Sequence, residues 1–293
     1  MPNSDIQSSA DMPLWRKVWE FPLVAMVIGL AAMVAAVSAV GGVMSFLPDS
    51  LSPDVATLIT GIGATIVIIA VYKLIIPRLG RERRDDLPMK GAVGDTALGL
   101  FVGFAIFSAI VGVAAALGIY RAAAYGMSED IVPLLVQAGL VASVLEEIIF
   151  RGILFRFVEE FAGSWAALII SSLLFGFGHA SNDNATIMSS LFITVEAGLL
   201  LGGAYMLTRN LWLAIGLHAG WNLTQGLIWG IPVSGNDYQG FLDSTLTGPE
   251  ILTGGAFGLE ASVLALVIAS SAGLWLIWQA KKEGHVVPPS WER

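Results

Sequence analysis

Among the polar side chains that interrupt the apolar runs of this sequence, seven could do chemistry or hold a site together: Glu146, Glu147, Arg151, His179, Glu196, His218 and Asn222. Two of the three histidines fall inside such runs, and His285 alone lies in a polar tail. Helix geometry sorts the seven. Adjacent Glu146 and Glu147 are about 100° apart around a helix, so they cannot point at one spot. Glu147 and Arg151 are one turn apart in the acid-first order that favours pairing, which leaves Glu146 the freer carboxylate. Phe175 stands one turn before His179 and stacks on the same face. His218 and Asn222 share a face by the same spacing. Gly176 and Gly178 near His179, and Gly216 and Gly220 around His218, let helix backbones approach closely. Three helices could thus converge a carboxylate, two imidazoles and a carboxamide on one cavity. That set suffices for amide hydrolysis: a buried carboxylate takes a proton from water, and imidazole and amide N–H groups donate to the oxyanion that forms. Each element also has a plainer reading. Glu147 with Arg151 is a structural ion pair, Asn222 is interhelical glue, and Glu196, beside Gly198, Gly202 and Gly203, is structural. On composition alone a hydrolase and a proton- or ion-coupled carrier stand level.

The elements that must position these residues are membrane helices. Of 293 residues 56% are hydrophobic and 13% charged, with mean hydropathy +0.76. Soluble domains carry about a quarter charged residues. A bilayer core about 30 Å thick takes about 20 helical residues to cross. Eight stretches meet that need: 22–46, 55–76, 98–118, 132–157, 165–179, 187–207, 212–229 and 259–278. The fifth is short unless it runs on into Ala180 and Ser181. None alternates with period two, so the fold class expected is all-α, a polytopic bundle of about eight transmembrane helices. The first span is too long for a signal-peptide core, so cleavage there is not expected.

Basic residues orient the bundle. Arg16, Lys17, Lys73, Arg78, Arg81, Arg83, Arg84, Lys90, Arg151, Arg156, Arg209, Lys281, Lys282 and Arg293 fall on one side, and Arg121 alone on the other. The opposite loops carry Asp49, Asp54, Glu129, Asp130, Asp183, Asp237, Asp243 and Glu250. Both termini are therefore expected in the cytoplasm of a multi-pass cell-membrane protein. The basic loop 78–90 reads as an orientation and lipid-contact feature, with no nucleic-acid partner. The chain divides into a cytoplasmic segment 1–21, N-terminal membrane helices 22–130, a core 131–230, an outer loop 231–258 read as mobile, and a last helix with cytoplasmic tail 259–293. No internal repeat of the kind common in carriers is visible, and the absence of cysteine removes thiol chemistry.

The three clusters read Glu146-Glu147-Ile-Ile-Phe-Arg151, Phe175-Gly-Phe-Gly-His179 and His218-Ala-Gly-Trp-Asn222. In order, spacing and helical context they resemble the E-E-x-x-x-R, F-x-x-x-H and H-x-x-x-N motifs of the CAAX-protease and bacteriocin-processing (CPBP, or ABI) family, which includes the type II CAAX prenyl proteases. The resemblance covers about 140–226, including Thr208-Arg209-Asn210-Leu211-Trp212. It implies an intramembrane endopeptidase. Glu146 would be the general base, acting with His179 on the hydrolytic water, and His218 and Asn222 would form the oxyanion site. Glu147 and Arg151 would hold the site together, with Phe175 supporting His179. The family has also been described as metalloproteases, and one Glu with two His could bind zinc with an open fourth position. Here the ligands would come from three helices without a His-x-x-x-His pair, so a glutamate mechanism with no metal or other cofactor is favoured.

The expected partners are the bilayer and a membrane-associated peptide or lipidated protein, admitted through a lateral or cytoplasm-facing opening. Relatives are linked to prenylated C-termini, to bacteriocin processing and to self-immunity, and these residues do not choose among them. The competing readings are a non-catalytic membrane partner such as an immunity protein, and a proton-coupled carrier relaying through Glu146, Glu147 and Glu196.

Overall fold

The computed structural model describes residues 13–124 and 130–293, so most of the expected segment 1–21, and Glu129 of the outer loops, lie outside the described residues. Helices dominate: α1 (Leu14–Trp19), α2 (Pro22–Met44), α3 (Pro53–Ile75), α4 (Ala92–Ala116), α5 (131–162), α6 (164–178), α7 (Ile187–Thr208), α8 (Trp212–Leu223), α9 (Glu250–Thr253) and α10 (Val263–Lys282). Proline opens α2 and α3 where its missing N–H costs nothing. Side chains cap three starts: Ser52 at α3, Ser262 at α10, and Thr186 at α7, where Ser189 completes a reciprocal capping box.

Among the described residues six helices are long and apolar enough to cross a membrane: Pro22–Met44, Pro53–Arg78, Ala92–Ala116, Ile131–Ser181, Ile187–Thr208 and Val263–Lys282. The difference from eight has two sources. Ile131–Ser181 is 51 residues long, but its backbone breaks at Gly163, with φ 81° and ψ 169°. Glu146 and His179 lie about 25 Å of helix before and after that glycine, yet their side chains approach to 3.9 Å. Two such legs meet again only if the chain folds back at Gly163, so α5 and α6 form a hairpin. The seventh expected stretch holds only 12 residues of α-helix, continued by the widened π-type turn Thr224–Ile228. The fifth stretch does run on past His179, through a 3-10 turn His179–Ser181.

Large apolar side chains such as Val34, Ile66, Phe101, Ile169, Val267 and Leu274 face outward, as a lipid-facing belt requires. Inside are two large cores and a small cluster of Leu134, Ala138 and Val233. One gathers Tyr72, Phe155, Phe157, Tyr205 and Leu211; the other gathers Phe107, Phe175, Trp221, Phe257 and Leu259. Between α4 and α8 the backbones touch through glycines. A Cβ on Gly99 or Gly103 would sit 2.4 Å from the carbonyl oxygens of Leu213 and Leu217. One on Gly216 or Gly220 would sit 2.3 or 2.4 Å from those of Thr96 and Leu100. Gly176 likewise packs on Ser190 and Thr194 of α7, whereas Gly178 has no close neighbour.

Two corrections follow. The expected all-α fold includes a two-stranded antiparallel ribbon, β1 (Tyr120–Ala124) with β2 (Leu242–Leu246), in register Tyr120 to Leu246 and Ala124 to Leu242. The segment expected to be a mobile outer loop therefore carries a strand and α9. Alternating half-buried and exposed positions along β2 hold it to the bundle edge. Arg151, expected among the basic residues of one side, is buried inside the bundle. Arg84, Arg156, Arg209 and Arg293 of that side do meet at one end. There Arg84 contacts Asp86 at 3.0 Å and Tyr205 at 2.9 Å, and Arg209 reaches Glu159 at 2.6 Å. Burial works against the Arg84 charge, but Tyr205, Asp86 and Glu159 outweigh it and hold the guanidinium above its ordinary value. The C-terminal tail locks under the same end, with Arg293 bonded to Glu82 at 3.2 Å and to the Glu159 carbonyl at 2.9 Å.

Candidate active site

Glu146 and Glu147 occupy a short α-helical stretch, Ser143–Glu147, between two π-type stretches, Leu134–Ala142 and Ile148–Phe155. Such widened turns concentrate at functional sites because they re-aim side chains that a uniform helix would place elsewhere. The two carboxylates diverge as the 100° offset demands. Glu147 is fully buried, and one of its oxygens, Oε1, accepts from Arg151 Nη1 at 2.8 Å and from His218 Nδ1 at 3.0 Å. Glu146 is partly exposed and places Oε2 at 3.9 Å from both His179 Nε2 and His218 Nε2.

The imidazole protons follow from the partners. His179 Nδ1 donates to the Phe175 carbonyl at 2.8 Å, since a carbonyl can only accept. His218 Nδ1 donates to the Glu147 carboxylate. Each ring thereby turns Nε2 toward Glu146. Phe175 is the packing hub beneath them. Its ring centroid lies 4.9 Å from that of His179, 5.9 Å from that of His218 and 5.0 Å from that of Phe150. The Arg151 guanidinium sits 4.5 Å above the same ring. Asn222 Nδ2 donates to the Ala138 carbonyl at 3.0 Å, which spends one of its two amide protons.

All seven motif residues are thus brought together, with Glu146 apart from the Glu147–Arg151 pair. Glu146, His179, His218 and Asn222 line a cavity of about 140 Å³, whose other walls include Gln137, Asn182, Ser234, Asn236 and Tyr238. A smaller cavity of about 40 Å³ lies behind the histidines and holds Glu196 and Glu260. Glu196 is buried, and its Oε2 has no hydrogen-bond partner among the described residues. Glu260 went unnoticed in the sequence. Its Oε1 accepts from the Ser234 N–H at 2.5 Å, and its Oε2 accepts from the Trp221 indole at 3.4 Å. Its signal was a carboxylate two residues into an apolar run, following the glycines 254, 255 and 258.

Tetrahedral zinc with ligand bonds of about 2.0–2.1 Å sets neighbouring ligand atoms about 3.3 Å apart. The two Glu146–histidine separations of 3.9 Å are wider than that. Among the described residues no group of three or more His, Cys, Asp or Glu is placed to hold a metal ion. The donor set does not fit zinc in this arrangement.

Residues 128–224 match the family model described as Rce1-like, type II CAAX prenyl endopeptidase. The chain is also similar, at 25% identity over 211 residues, to the Bacillus subtilis (strain 168) protein named "Putative membrane peptidase YdiL". That match covers 69% of this chain and 80% of the relative. No solved structure matches. The matched segment contains all three motifs, and both comparisons support a membrane protease. The segment 128–224 is thus similar to the type II CAAX prenyl endopeptidases, and the chain as a whole to a membrane peptidase relative.

Proposed function

We propose that this chain is an intramembrane endopeptidase of about eight spans that hydrolyses a peptide bond of a membrane-associated substrate with a glutamate-activated water. The observation that carries the reading is the position of Glu146 Oε2, equidistant from two Nε2 atoms whose rings are each fixed through Nδ1. Two groups 3.9 Å apart can both reach one water at about 2.8 Å with a right angle between the bonds. His179 Nε2, unprotonated because Nδ1 carries the hydrogen, accepts a hydrogen bond from the water and orients its oxygen, and that hydrogen stays on the oxygen. Glu146 takes the other proton as that oxygen attacks the peptide carbonyl carbon.

Charge then develops on the carbonyl oxygen. The remaining N–H of Asn222, and His218 as an imidazolium held by Glu147, are the donors that meet it. Collapse of the tetrahedral species breaks the C–N bond, and the leaving nitrogen takes the proton held by Glu146. Arg151 neutralises Glu147, and both are buried, so the pair positions His218 rather than touching substrate.

The test is cleavage of a panel of membrane-anchored and prenylated peptides by detergent-purified protein, with and without chelator. Glu146→Gln keeps shape and removes the base, and a loss of about 100-fold or more is expected. Cleavage that survives in Glu146→Gln would sink the mechanism, and cleavage that chelator stops would bring back a metal.

A further inference from the structure

The cavity at Glu146 is closed on one side and open on the other. Toward the basic end, the space beneath Glu147 and Arg151 is filled by Phe155, Tyr205, Tyr72 and Leu211, all fully buried. Below them lies the ion-pair network of Arg84, Asp86, Arg156, Glu159 and Arg209. Packed side chains and ion pairs thus fill that end among the described residues.

The opposite wall is different. Segment 231–238 dips back into the bundle beyond α8. It is pinned by Asn182 donating to the Ser234 carbonyl at 3.0 Å and Asn184 donating to the Gly235 carbonyl at 3.2 Å, and by Glu260 at the Ser234 N–H. Tyr238 in this segment lines the cavity of Glu146 and also a larger one of about 430 Å³ beneath the β1–β2 ribbon, walled by Asp130, Pro232, Asp237 and Asp243. The two cavities therefore adjoin across one side chain. Gln137 and Asn236, on the wall of the inner cavity, are exposed.

Charge fixes which face this is. Lys73, Arg81, Arg84, Arg156, Arg209 and Arg293 belong to the plugged end, whereas the larger cavity is walled by aspartates. Lysine and arginine are retained on the cytoplasmic side. The geometry points to entry from the extracytoplasmic face: the substrate is a peptide segment of an exported or membrane-anchored protein presented at the outer leaflet, past Tyr238, and not a C-terminal tail in the cytoplasm. This rests on the endopeptidase reading and replaces the expected cytoplasm-facing opening.

The chain has no cysteine, so single cysteines report cleanly. Asp237→Cys, Gln137→Cys and Arg83→Cys all alter exposed positions outside the catalytic set. In intact cells a membrane-impermeant maleimide should label the first two to the same extent as after permeabilisation, and should label Arg83→Cys only after permeabilisation. The reverse pattern, or a Gln137→Cys reached only from inside, overturns the proposal. A second readout uses the same membrane-impermeant, fluorescence-quenched peptide panel on vesicles of both orientations. Right-side-out vesicles should cleave, inverted ones should not, and Glu146→Gln should cleave in neither. Cleavage confined to inverted vesicles overturns the proposal. If detergent-solubilised protein cleaves nothing, the endopeptidase reading and the substrate assignment fail together, and the labelling still reports the side of the cavity.

Discussion

Glu146 and Glu147 are chemically identical neighbours with opposite surroundings, and the difference assigns their work. Glu147 is dry, charge-paired and bonded to a histidine; Glu146 is partly exposed in a cavity. Their substitutions should separate accordingly. Glu146→Gln should lose activity while melting near the parent temperature. Glu147→Ala leaves the Arg151 guanidinium buried without its partner, which costs about 3–5 kcal/mol in comparable pairs. It should therefore lower the melting temperature in detergent as well as activity, and a Glu147→Ala protein as stable as the parent would refute the assignment. The sequence sorted these two residues from helix angles alone. It could not show that a single oxygen of Glu147 serves both Arg151 and His218, because that contact joins residues far apart in the chain.

At the scale of elements, the site depends on how closely α8 is held to α4. Gly99 and Gly103 face Gly216 and Gly220 with no room for a methyl group. His218 and Asn222 sit on that same α8. Gly220→Ala should force the helices apart by a fraction of an ångström and displace both donors, lowering kcat with KM little changed. Gly178→Ala, with no neighbour closer than 3.7 Å, should change neither. A large loss in Gly178→Ala with none in Gly220→Ala would show that the packing argument is wrong. Both glycine pairs were visible as close-approach signals around the histidines. Which of them was used depended on what lay opposite, and only one flank of His179 met a partner helix.

For the whole molecule, the α5–α6 hairpin is the device that brings the first two motifs together, and the C-terminal tail secures its turn. A Cβ on Gly163 would meet the Val287 carbonyl oxygen at 2.8 Å, its φ of 81° disfavours any other residue, and Ser164 N donates to the same carbonyl at 2.9 Å. Truncation before Val286 removes these contacts together with the Arg293 bonds. It should lower thermal stability while residual folded protein keeps the parent KM; a truncated protein with parent stability would refute the role given to the tail.

The sequence by itself determined the membrane class, the helical majority, the charge asymmetry and all three motif clusters. Those properties are local: hydropathy, residue type and i,i+4 spacing are written in short windows of chain. It also anticipated the pairing of Glu147 with Arg151 and the shared face of Phe175 and His179. Only the tertiary structure decided the rest. The ribbon between β1 and β2, the return of 231–238 to the cavity, and the approach of Glu260 to Trp221 each join segments remote in sequence. Such contacts are chosen by what remains to be satisfied once the helices have packed. A partly buried N–H at Ser234 needs an acceptor, and the carboxylate two residues into the last apolar stretch is the one within reach.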